Sequence, residues 1–394
     1  MFLSRGLFLG ILAMRAALAT PIAAERPAAK IVQARNSLAK RWGRSDGSAE
    51  LLAPRVFIVS LFTPEGAVWP GPLELGAINV TVPGFSPLFP SARCNICGEI
   101  CQVITGEGEI NAANTINALV TSDYFDLSKT YFYIGGIAGI NPACGTLGSV
   151  AFSRYAVQVG LEYEIDAREI PANFSTGYVP LGAKVPDEYP VFLYGTEVFE
   201  LNLKLRDRAI ALATKGTLND TEVAVAYRAQ YPHAPANKPP AVFAGDVATS
   251  DAFWHGALLG ESFGEYVTLL TNGSGKYCMT AQEDNASLEA FLRGALYGLV
   301  DFGRIILMRT AANFDRPPPG ESAAQQLFVD NQGGFGIAVE NIFQAGIHVV
   351  NDVIDNWYEV YYDGITADNY IGDILDSLKG SITPDIGSVN FQEG

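Results

Sequence analysis

The amino-acid sequence predicts one α/β domain over residues 54–378, and three stretches of the chain carry that prediction. Residues 55–62, RVFIVSLF, form an apolar and β-branched run, which is typical of a strand buried on both faces. Residues 277–315 follow the pattern strand, acidic turn, helix, strand, which indicates a crossover unit of a parallel sheet. Residues 334–362 carry apolar side chains at helical intervals, so we expect a long helix packed on the core.

Composition and charge limit the kind of partner that this chain can have. The chain has 394 residues, of which 48% are hydrophobic, and its formal net charge is −16. A chain of this length can bury a large core. The negative charge argues against nucleic acid or an anionic membrane surface as a partner, because both are bound through a basic face. A small and nearly neutral ligand suits this composition better.

The N-terminus has the pattern of a secretory signal. Residues 1–19 contain an early arginine, an apolar run and an A-L-A end, which predict a signal peptide and a secreted or extracellular protein. The run is too short to span a membrane, and no later run approaches the roughly 20 residues that a transmembrane helix needs. The basic residues 20–53 contain the pair Lys40-Arg41 and are predicted to form a pro-segment or a linker. Residues 379–394 are expected to form a C-terminal tail.

Five N-x-[ST] sequons predict a glycoprotein if the chain passes through the secretory pathway. They stand at Asn79, Asn173, Asn219, Asn272 and Asn285. Asn285 lies inside the candidate site described below, so we expect it to escape modification.

The cysteines predict a disulfide rather than a metal site. Cys94, Cys97 and Cys101 have the spacing C-x-x-C-x-x-x-C, but no histidine lies near them and zinc usually takes four protein ligands. In an oxidising compartment we therefore expect a Cys94–Cys101 bridge. Because the chain has five cysteines, at least one thiol is left unpaired.

The elements between the first stretches follow from local patterns. Residues 69–93 are rich in proline and glycine and predict a loop with one short strand. Residues 102–105 predict a strand, and the apolar spacing over 110–120 predicts the helix that follows it. Residues 131–140, YFYIGGIAGI, predict a strand whose glycines allow the backbone to approach a flat ligand closely. Residues 148–157 predict another strand.

The second half of the chain continues the alternation of strands and helices. Residues 161–190 predict a loop region carrying aromatic side chains, and residues 197–213 predict an amphipathic helix. Residues 241–244 predict a strand, and a helix is expected after the segment GDVATSDAFWHG. The sequence shows no internal repeat and no clear domain boundary.

The glycine-rich turn G-E-G-E at residues 106–109 has two interpretations. Such a turn can offer backbone N–H groups to an oxyanion or a hydroxyl. Its glycines can equally serve only a tight passage from strand to helix. Glu107 and Glu109 would repel a phosphate, and the full G-x-G-x-x-G pattern is absent, so the sequence leaves both interpretations open.

Acids, amides and aromatic rings recur just after the predicted strand ends. They are Glu65, Glu283, Asp284, Asn285, Asn313 and Asp315, with Phe62, Phe253 and Trp254 in similar positions. Sugar hydroxyls bind to acceptors, and an asparagine can read an adenine edge through N6 and N7, so this set suits a nucleoside. The chain has three scattered histidines, no H-E-x-x-H and no G-x-S-x-G. We therefore expect no metal, no cofactor and no serine nucleophile.

Long segments of the sequence resemble the fungal purine nucleoside permease family. They include TGEGEINAANTINALVTSDYFDLSKTYFYIGGIAGI, GKYCMTAQEDNASLEAFLR and RIILMRTAANFDRPPPG, and the resemblance covers nearly all of residues 54–360. The same segments are more distantly similar to the nucleoside phosphorylase and nucleosidase superfamily. That resemblance implies a mixed central β-sheet flanked by helices, a purine nucleoside as ligand and a homodimer.

The superfamily resemblance also implies roles for the acids and for the base-binding residues. Glu65 would activate water, and Glu283, with Gln282 and Asp284 beside it, would bind the ribose 2′- and 3′-hydroxyls. Phe253 or Trp254 would stack on the base.

The remaining implied roles concern the purine ring. The backbone of Ala138 and Gly139 would lie against the base. Asn313, aligned through Arg309, would hydrogen-bond to purine N7. Superfamily nucleosidases carry an aspartate where this chain has Asn313, so the resemblance implies weaker acid assistance here, unless Asp315 compensates.

The sequence as a whole predicts a secreted enzyme that hydrolyses the N-glycosidic bond of purine nucleosides to free base and ribose. Two alternatives stay open: a nucleoside-binding protein that assists transport without chemistry, and a phosphate-dependent phosphorylase. Phosphorylases hold phosphate with arginines, and Arg93 is the only arginine between Arg55 and Arg154. Hydrolysis is therefore favoured over phosphorolysis.

Overall fold

The structure, a computed structural model, describes residues 51–385. The predicted signal peptide and the basic segment up to residue 50 lie outside the described residues, as do residues 386–394 of the predicted tail. Among the described residues, no helix is both long and apolar enough to cross a membrane.

One large mixed β-sheet dominates the described part of the chain, and one two-stranded hairpin lies apart from it. The strands in chain order are β1 Val56–Ser60, β2 Ile78–Thr81, β3 Ser91–Cys94, β4 Ile100–Ile104, β5 Tyr131–Ile140, β6 Val150–Phe152, β7 Tyr155–Gln158, β8 Glu162–Glu164, β9 Tyr178–Pro180, β10 Val198–Glu200, β11 Val242–Ala244, β12 Asp246–Thr249, β13 Tyr277–Ala281, β14 Ile305–Phe314 and β15 Gly372–Asp373. The main path through the sheet is β15-β10-β7-β12-β13-β5-β1-β4-β3-β2. From β5 the sheet also continues through β14 and β6 to β11.

Helices cover both faces of this sheet. They are α1 Thr63–Ala67, α2 Glu109–Thr121, α3 Leu203–Ala213, α4 Glu222–Arg228, α5 Ala257–Leu270, α6 Asp284–Leu296, α7 Ala323–Phe328 and α8 Gly334–Asp355. The predicted mixed central sheet with flanking helices is therefore confirmed.

The central strand β5 supplies side chains to a core on each side of the sheet, because successive residues of a strand point to opposite faces. Phe132 packs with Phe291 of α6 at 4.3 Å between ring centroids, in a cluster that also holds Ile116 of α2. Its neighbour Tyr133 belongs to the cluster formed with Val349 of α8. The long helix predicted at residues 334–362 is present as α8, which ends at Asp355.

The first half of β5 is paired on both edges, whereas its second half is not. Strand β1 pairs in parallel with β5 only up to Val59↔Ile134, and β13 meets β5 only at Met279↔Ile140. The stretch between Ile134 and Ile140 therefore has no strand along that edge, although β14 runs parallel to β5 on the other edge. This gap lies where the chain leaves β1, and it is where the candidate site forms.

The prediction of a parallel crossover unit over residues 277–315 is wrong in its pairing. Strand β13, helix α6 and strand β14 follow each other as predicted, but β13 takes β12 as its parallel neighbour. Strand β5 separates β13 from β14, and its single bridge with β13 is antiparallel. Periodicity identified the elements, but pairing depends on contacts between residues that are distant in the sequence.

Two predicted elements are each interrupted by a buried polar side chain. The strand predicted at residues 148–157 is divided into β6 and β7 because Asp246 Oδ1 accepts the backbone N–H groups of Arg154 and Tyr155, at 2.9 and 2.8 Å. The helix predicted at residues 197–213 begins only at Leu203, because Asn202 caps its first turn. The residues before that cap form β10 instead.

The sequence also missed several short strands. Residues 69–93 were expected to hold one strand, but β2 lies there and β3 begins at Ser91. The predicted loop 161–190 contains the hairpin β8–β9, and β12 was not predicted. Strands of three or four residues are too short for their apolar alternation to be distinguished from that of a loop.

Two disulfides tie neighbouring strands. The predicted Cys94–Cys101 bridge joins β3 to β4, and Cys144–Cys278 joins the loop after β5 to β13. Cys97 is the exposed free thiol, which confirms the expectation of an unpaired cysteine. The second bridge fixes the strand ends that flank the gap in β5.

Candidate functional site

A cavity of about 200 Å³ lies at the gap beside β5. It brings together ten of the residues predicted from the sequence, which come from β5 and β14 and from the segments that follow β1, β12 and β13. These are Phe62, Glu65, Ala138, Gly139, Phe253, Trp254, Gln282, Glu283, Arg309 and Asn313. Residues far apart in the chain thus converge because neighbouring strands end at the same edge of the sheet.

Glu65 fills the unpaired edge of β5. It follows β1 in the short helix α1 and is 1% exposed. Its Oε1 accepts the N–H of Ile137 at 2.7 Å, and its Oε2 accepts the N–H of Leu61 at 2.8 Å. Burial raises the pKa of Glu65 to about 7, against the opposing influence of Arg309 and the two backbone N–H groups. This carboxyl can therefore both hold and release a proton near neutral pH.

A glycine of β5 makes room for this arrangement. A Cβ at Gly136 would come within 2.7 Å of Arg309 Nη1, 2.8 Å of Glu65 Oε1 and 2.8 Å of Leu61 Cδ1. Real Cβ atoms do not approach other atoms so closely, so any other residue would displace one of these groups. The glycines predicted to allow close approach are thus needed at this position for the packing of two charged side chains.

Arg309 links the acids of the site. Its Nη2 donates to Glu283 Oε2 at 3.1 Å, and its Nε donates to Asp284 Oδ2 at 3.1 Å. Its Nη1 donates to the carbonyl of Ile137 at 3.0 Å. All three nitrogens of the guanidinium therefore have acceptors, although burial disfavours the charge. The facing carboxylates of Asp284 and Glu283 nonetheless raise the pKa of Arg309.

Glu283 stands at the N-terminus of α6, directly after β13, and is 4% exposed. Its Oε1 accepts the N–H of Gly108 at 3.1 Å. Gly106 and Gly108 both have φ of +87°, a conformation that glycine adopts without strain. The glycines of the G-E-G-E turn are therefore required by the turn itself, and the N–H of Gly108 binds a carboxylate of the protein.

Asn313 reaches the cavity because β14 is irregular there. The pairing of β14 with β5 shifts register between Ala311 and Asn313, and such a bulge re-aims the side chains beside it. Its Nδ2 donates to the carbonyl of Phe314 at 3.0 Å. On the facing wall, Gly139 donates its N–H to Thr280 Oγ1 at 2.9 Å, so Asn313 and Thr280 flank Gly139.

The aromatic residues differ in how firmly they are held. Trp254 is 8% exposed and packs edge-on against Phe263 at 4.9 Å between ring centroids. Phe253 is 63% exposed at the cavity mouth. Phe62 lies edge-on to Phe335 at 6.3 Å. The ring that is free to adjust to a ligand is therefore Phe253, whereas Trp254 forms part of a fixed wall.

Three predicted site residues do not line the cavity. Asp284 is fully buried behind Arg309. Asn285 holds the sheet together, because its Oδ1 accepts from Thr249 Oγ1 at 2.6 Å and its Nδ2 donates to the Thr196 carbonyl at 2.8 Å. Its burial is consistent with a sequon that stays unmodified.

Asp315 is the third of these corrections. Its Oδ2 accepts the Tyr277 hydroxyl at 2.5 Å, and its Oδ1 accepts Arg316 Nε at 2.8 Å. With both oxygens engaged and its side chain 1% exposed, Asp315 cannot act as the compensating acid. The direction of these side chains depends on the helix in which each lies or the bulge that it follows, so adjacency in sequence did not place all of them in one cavity.

Sequence reasoning missed some lining residues. Thr280 stands at the end of β13, as the predicted residues do, and that position was the available signal. Ser250 follows β12, which was not predicted. Glu107 was considered only as a group that repels phosphate, yet it lines the cavity beside Glu283. Among the described lining residues Arg309 is the only basic one.

The chain is similar over most of its length to one family of known proteins. Residues 53–366 match the family model described as purine nucleoside permease. A purine nucleoside permease of Candida albicans is 42% identical over 378 residues, which cover 94% of this chain and 91% of the relative. A probable purine nucleoside permease of Schizosaccharomyces pombe is 37% identical over 320 residues, covering 79% of this chain and 92% of the relative.

Solved structures give more distant matches. A 5′-methylthioadenosine/S-adenosylhomocysteine nucleosidase from Neisseria meningitidis matches with a TM-score of 0.46 and 15% identity, over 77% of this chain and all of that one. A futalosine hydrolase of Helicobacter pylori matches with a TM-score of 0.44 and 14% identity, over 77% of this chain and 98% of that one.

Proposed function

This chain belongs to the purine nucleoside permease family, and on that premise we propose that its cavity binds a purine nucleoside and hydrolyses the N-glycosidic bond. One observation carries the proposal. Glu65, Glu283 and Asn313, which lie far apart in the sequence, line the same cavity. The cavity thus contains a general base, a hydrogen-bond acceptor for the ribose hydroxyls and an amide that can hydrogen-bond to the purine.

Glu65 is the proposed general base. A water molecule attacks C1′ of the ribosyl group while the bond from C1′ to N9 of the purine breaks. Glu65 takes one proton of that water, and the leaving purine accepts a proton from solvent, so the products are free base and ribose. A pKa of about 7 leaves a substantial ionised fraction at neutral pH, which a base needs.

Glu283 is the proposed ribose acceptor. Each oxygen of its carboxylate already accepts one hydrogen bond, from Gly108 or from Arg309. Each also has a second lone pair that can accept from the 2′- or 3′-hydroxyl. Because bond breaking builds positive charge on the ribosyl ring, a buried carboxylate at those hydroxyls stabilises the transition state more than the ground state.

The base would lie between Gly139 and the aromatic side chains. Asn313 offers an amide N–H to purine N7, and Phe253 offers a ring face at the mouth. An amide has no proton to give up, so Asn313 holds the leaving base by a hydrogen bond rather than protonating it. The expected rate is therefore lower than an aspartic acid at this position would allow.

Hydrolysis is favoured over phosphorolysis by the charges of the cavity. Within residues 51–385, Arg309 is its only basic lining residue, and its nitrogens are bound to Glu283, Asp284 and the Ile137 carbonyl. A phosphate would find no free cation among the described lining residues and would face two glutamates. Water as the nucleophile does not need a cation to bind it.

One incubation tests the proposal. Purified protein is mixed with adenosine, inosine or uridine, with and without phosphate, and free base and ribose are measured by chromatography. Release of base and ribose in equal amounts from the purine nucleosides, without phosphate, is expected. Release only with phosphate, accompanied by ribose 1-phosphate, would identify a phosphorylase.

A second candidate function follows from the names of the curated relatives, which are purine nucleoside permeases. In that case the cavity captures a nucleoside for uptake without breaking it. Calorimetry with adenosine separates the two functions: binding without release of base supports capture alone.

We also propose that the protein is secreted and that it self-associates. The signal pattern of residues 1–19 supports export, and N-terminal sequencing of protein from culture medium should start after Ala19 or after Arg41. Absence of the protein from the medium would contradict export, and an N-terminus at Met1 would contradict removal of a signal peptide. A homodimer is expected from the superfamily resemblance alone, and light scattering would measure it.

A further inference from the structure

We propose that Asp284 is a positioning residue that acts through Arg309, and that its negative charge keeps the guanidinium from neutralising Glu65 and Glu283. The inference rests on the hydrolytic function proposed above, because that function assigns the reaction to these two carboxyls. Asp284 does not line the cavity, so its effect on the reaction must be indirect.

Asp284 holds Arg309 from the side away from the cavity. Both side chains are almost completely shielded, with exposures of 0% and 1%. Asp284 Oδ2 accepts from Nε of Arg309 at 3.1 Å, and its Oδ1 accepts from Nη2. A two-point contact of this kind fixes the plane of the guanidinium as well as its position.

The fixed guanidinium in turn contacts Glu283 directly and is linked to Glu65 through the backbone of Ile137. Its Nη2 also donates to Glu283 Oε2 at 3.1 Å. Its Nη1 donates to the carbonyl of Ile137 at 3.0 Å, and the N–H of that same residue donates to Glu65 Oε1 at 2.7 Å. One unbroken chain of contacts therefore joins Asp284 to Glu283 and Glu65.

The charges explain why a third carboxylate is needed. The site requires Glu283 to be an anion and Glu65 to gain a proton near neutral pH, yet a buried cation beside them favours an ionised Glu65 and cancels the charge of Glu283. Arg309 does lower the pKa of Glu65, although burial outweighs it. With Asp284 in place, its carboxylate balances the positive charge of Arg309 from the side away from the cavity. The negative charge of Glu283 then remains available to the ribosyl ring.

Titration of the Glu65 carboxyl tests this relation directly. Protein labelled with ¹³C in its glutamate carboxyls is titrated by NMR, and the Glu65 signal is assigned by its loss in Glu65→Gln. In Asp284→Asn the titration midpoint of Glu65 should fall, because the cation is no longer matched and favours the ionised form. Removing one buried unit charge near the site, at an effective dielectric constant of about 20 to 40, corresponds to a fall on the order of one pH unit.

The matched control is Glu289→Gln on the same helix. Glu289 also accepts from an arginine, Arg293 Nε at 2.5 Å, but this arginine is 68% exposed and Glu289 itself is only partly buried. The control removes one carboxylate charge from α6 without touching the cavity, so the midpoint of Glu65 should stay at its wild-type value. An equal shift in the two variants, or none in Asp284→Asn, would overturn the inference.

A double variant keeps the test decisive if Asp284→Asn does not fold. Asp284→Asn with Arg309→Gln removes both buried charges, and replacing a buried ion pair by a neutral pair is often tolerated. The cation that lowers the pKa of Glu65 is then absent, so the midpoint should rise above the wild-type value. A midpoint at or below wild type in the double variant refutes the proposed role.

Kinetics give a second readout that a purely structural role would not produce. Asp284→Asn should lower kcat by about tenfold or more while KM stays within about threefold, because Asp284 does not touch the substrate. The acidic limb of its pH–rate profile should move to lower pH with the Glu65 midpoint. If the wild-type protein releases no base under any condition, the proposed function fails, whereas the NMR titration still decides whether Asp284 controls the charge of the site.

Discussion

Replacing Glu65 by glutamine should remove activity and at the same time change how stability depends on pH. Glutamine has nearly the same shape, but it cannot take a proton from water. Loss of a general base typically lowers kcat by about 10²- to 10⁴-fold. The stability effect is the more specific prediction, because it depends on the burial of this one carboxyl.

The size of that effect follows from the pKa. Burial raises the pKa of Glu65 from 4.5 to about 7, so the folded state binds this proton more tightly than the unfolded chain does. As pH rises from about 4.5 through 7, the folded protein must ionise a buried group, and stability is lost. At about 1.4 kcal/mol per pH unit, the loss from this group is about 3 kcal/mol.

Glutamine escapes that loss but gives up a hydrogen bond. Only its carbonyl oxygen can accept, so one of the two N–H groups now bound, from Leu61 or Ile137, loses its partner at a cost of about 1 to 3 kcal/mol. Glu65→Gln should therefore be less stable than wild type by about 1 to 3 kcal/mol at pH 5, and at pH 8 it should equal wild type or exceed it by up to about 2 kcal/mol. Across that window the difference between the two proteins should change by about 3 kcal/mol in favour of the variant.

Urea unfolding at pH 5 and pH 8 measures this difference, with Glu261→Gln as the control for loss of one carboxylate. Glu261 is 64% exposed beside Arg316, and removing one charge of such an exposed pair changes stability by well under 1 kcal/mol. If Glu65→Gln keeps the same pH dependence as wild type, Glu65 is not a buried carboxyl with a raised pKa. The argument that it serves as the base would then fail as well.

Three further changes test other parts of the site. Glu283→Gln should lower kcat by about 10²-fold or more while the far-UV circular dichroism stays that of a folded protein, and an unchanged kcat would exclude Glu283 from the reaction. Gly136→Ala should destabilise the protein by about 1 to 3 kcal/mol in urea unfolding and abolish base release, whereas Gly336→Ala, which has open space around its Cβ, should do neither. Replacing Cys144 and Cys278 by serine should lower the free energy of unfolding by about 3 to 5 kcal/mol, because this disulfide closes a separation of 134 residues. An unchanged melting temperature would contradict that prediction.

The sequence placed the main elements well where their apolar pattern was long. The buried run of β1, the ten residues of β5 and the long helix α8 each follow from a period that extends over enough residues to be unambiguous. The short strands and the split between β6 and β7 did not follow, because each depends on a partner that is distant in the chain. Asp246 ends one strand and starts another without leaving any mark in the local pattern.

Some residues of the candidate site could likewise be predicted from the sequence, and others could not. Glu65, Glu283 and Asn313 could be selected from the sequence because acids and amides after strand ends tend to meet at one edge of a sheet. Asp284, Asn285 and Asp315 satisfied the same rule but lie outside the cavity. A strand-end position fixes where a residue lies along the sheet edge, whereas the direction of its side chain depends on the helix or bulge that follows.

By itself the sequence determined the kinds of chemical group available and, through its family resemblance, the class of ligand that we propose. Only the tertiary structure decided that β1 and β13 leave part of one edge of β5 unpaired, and that Glu65 and Thr280 satisfy the N–H groups exposed there. That gap results from the combined lengths and pairings of three strands that are far apart in the chain. No local pattern encodes it, because the pairing of these strands depends on contacts between residues that are far apart in the chain.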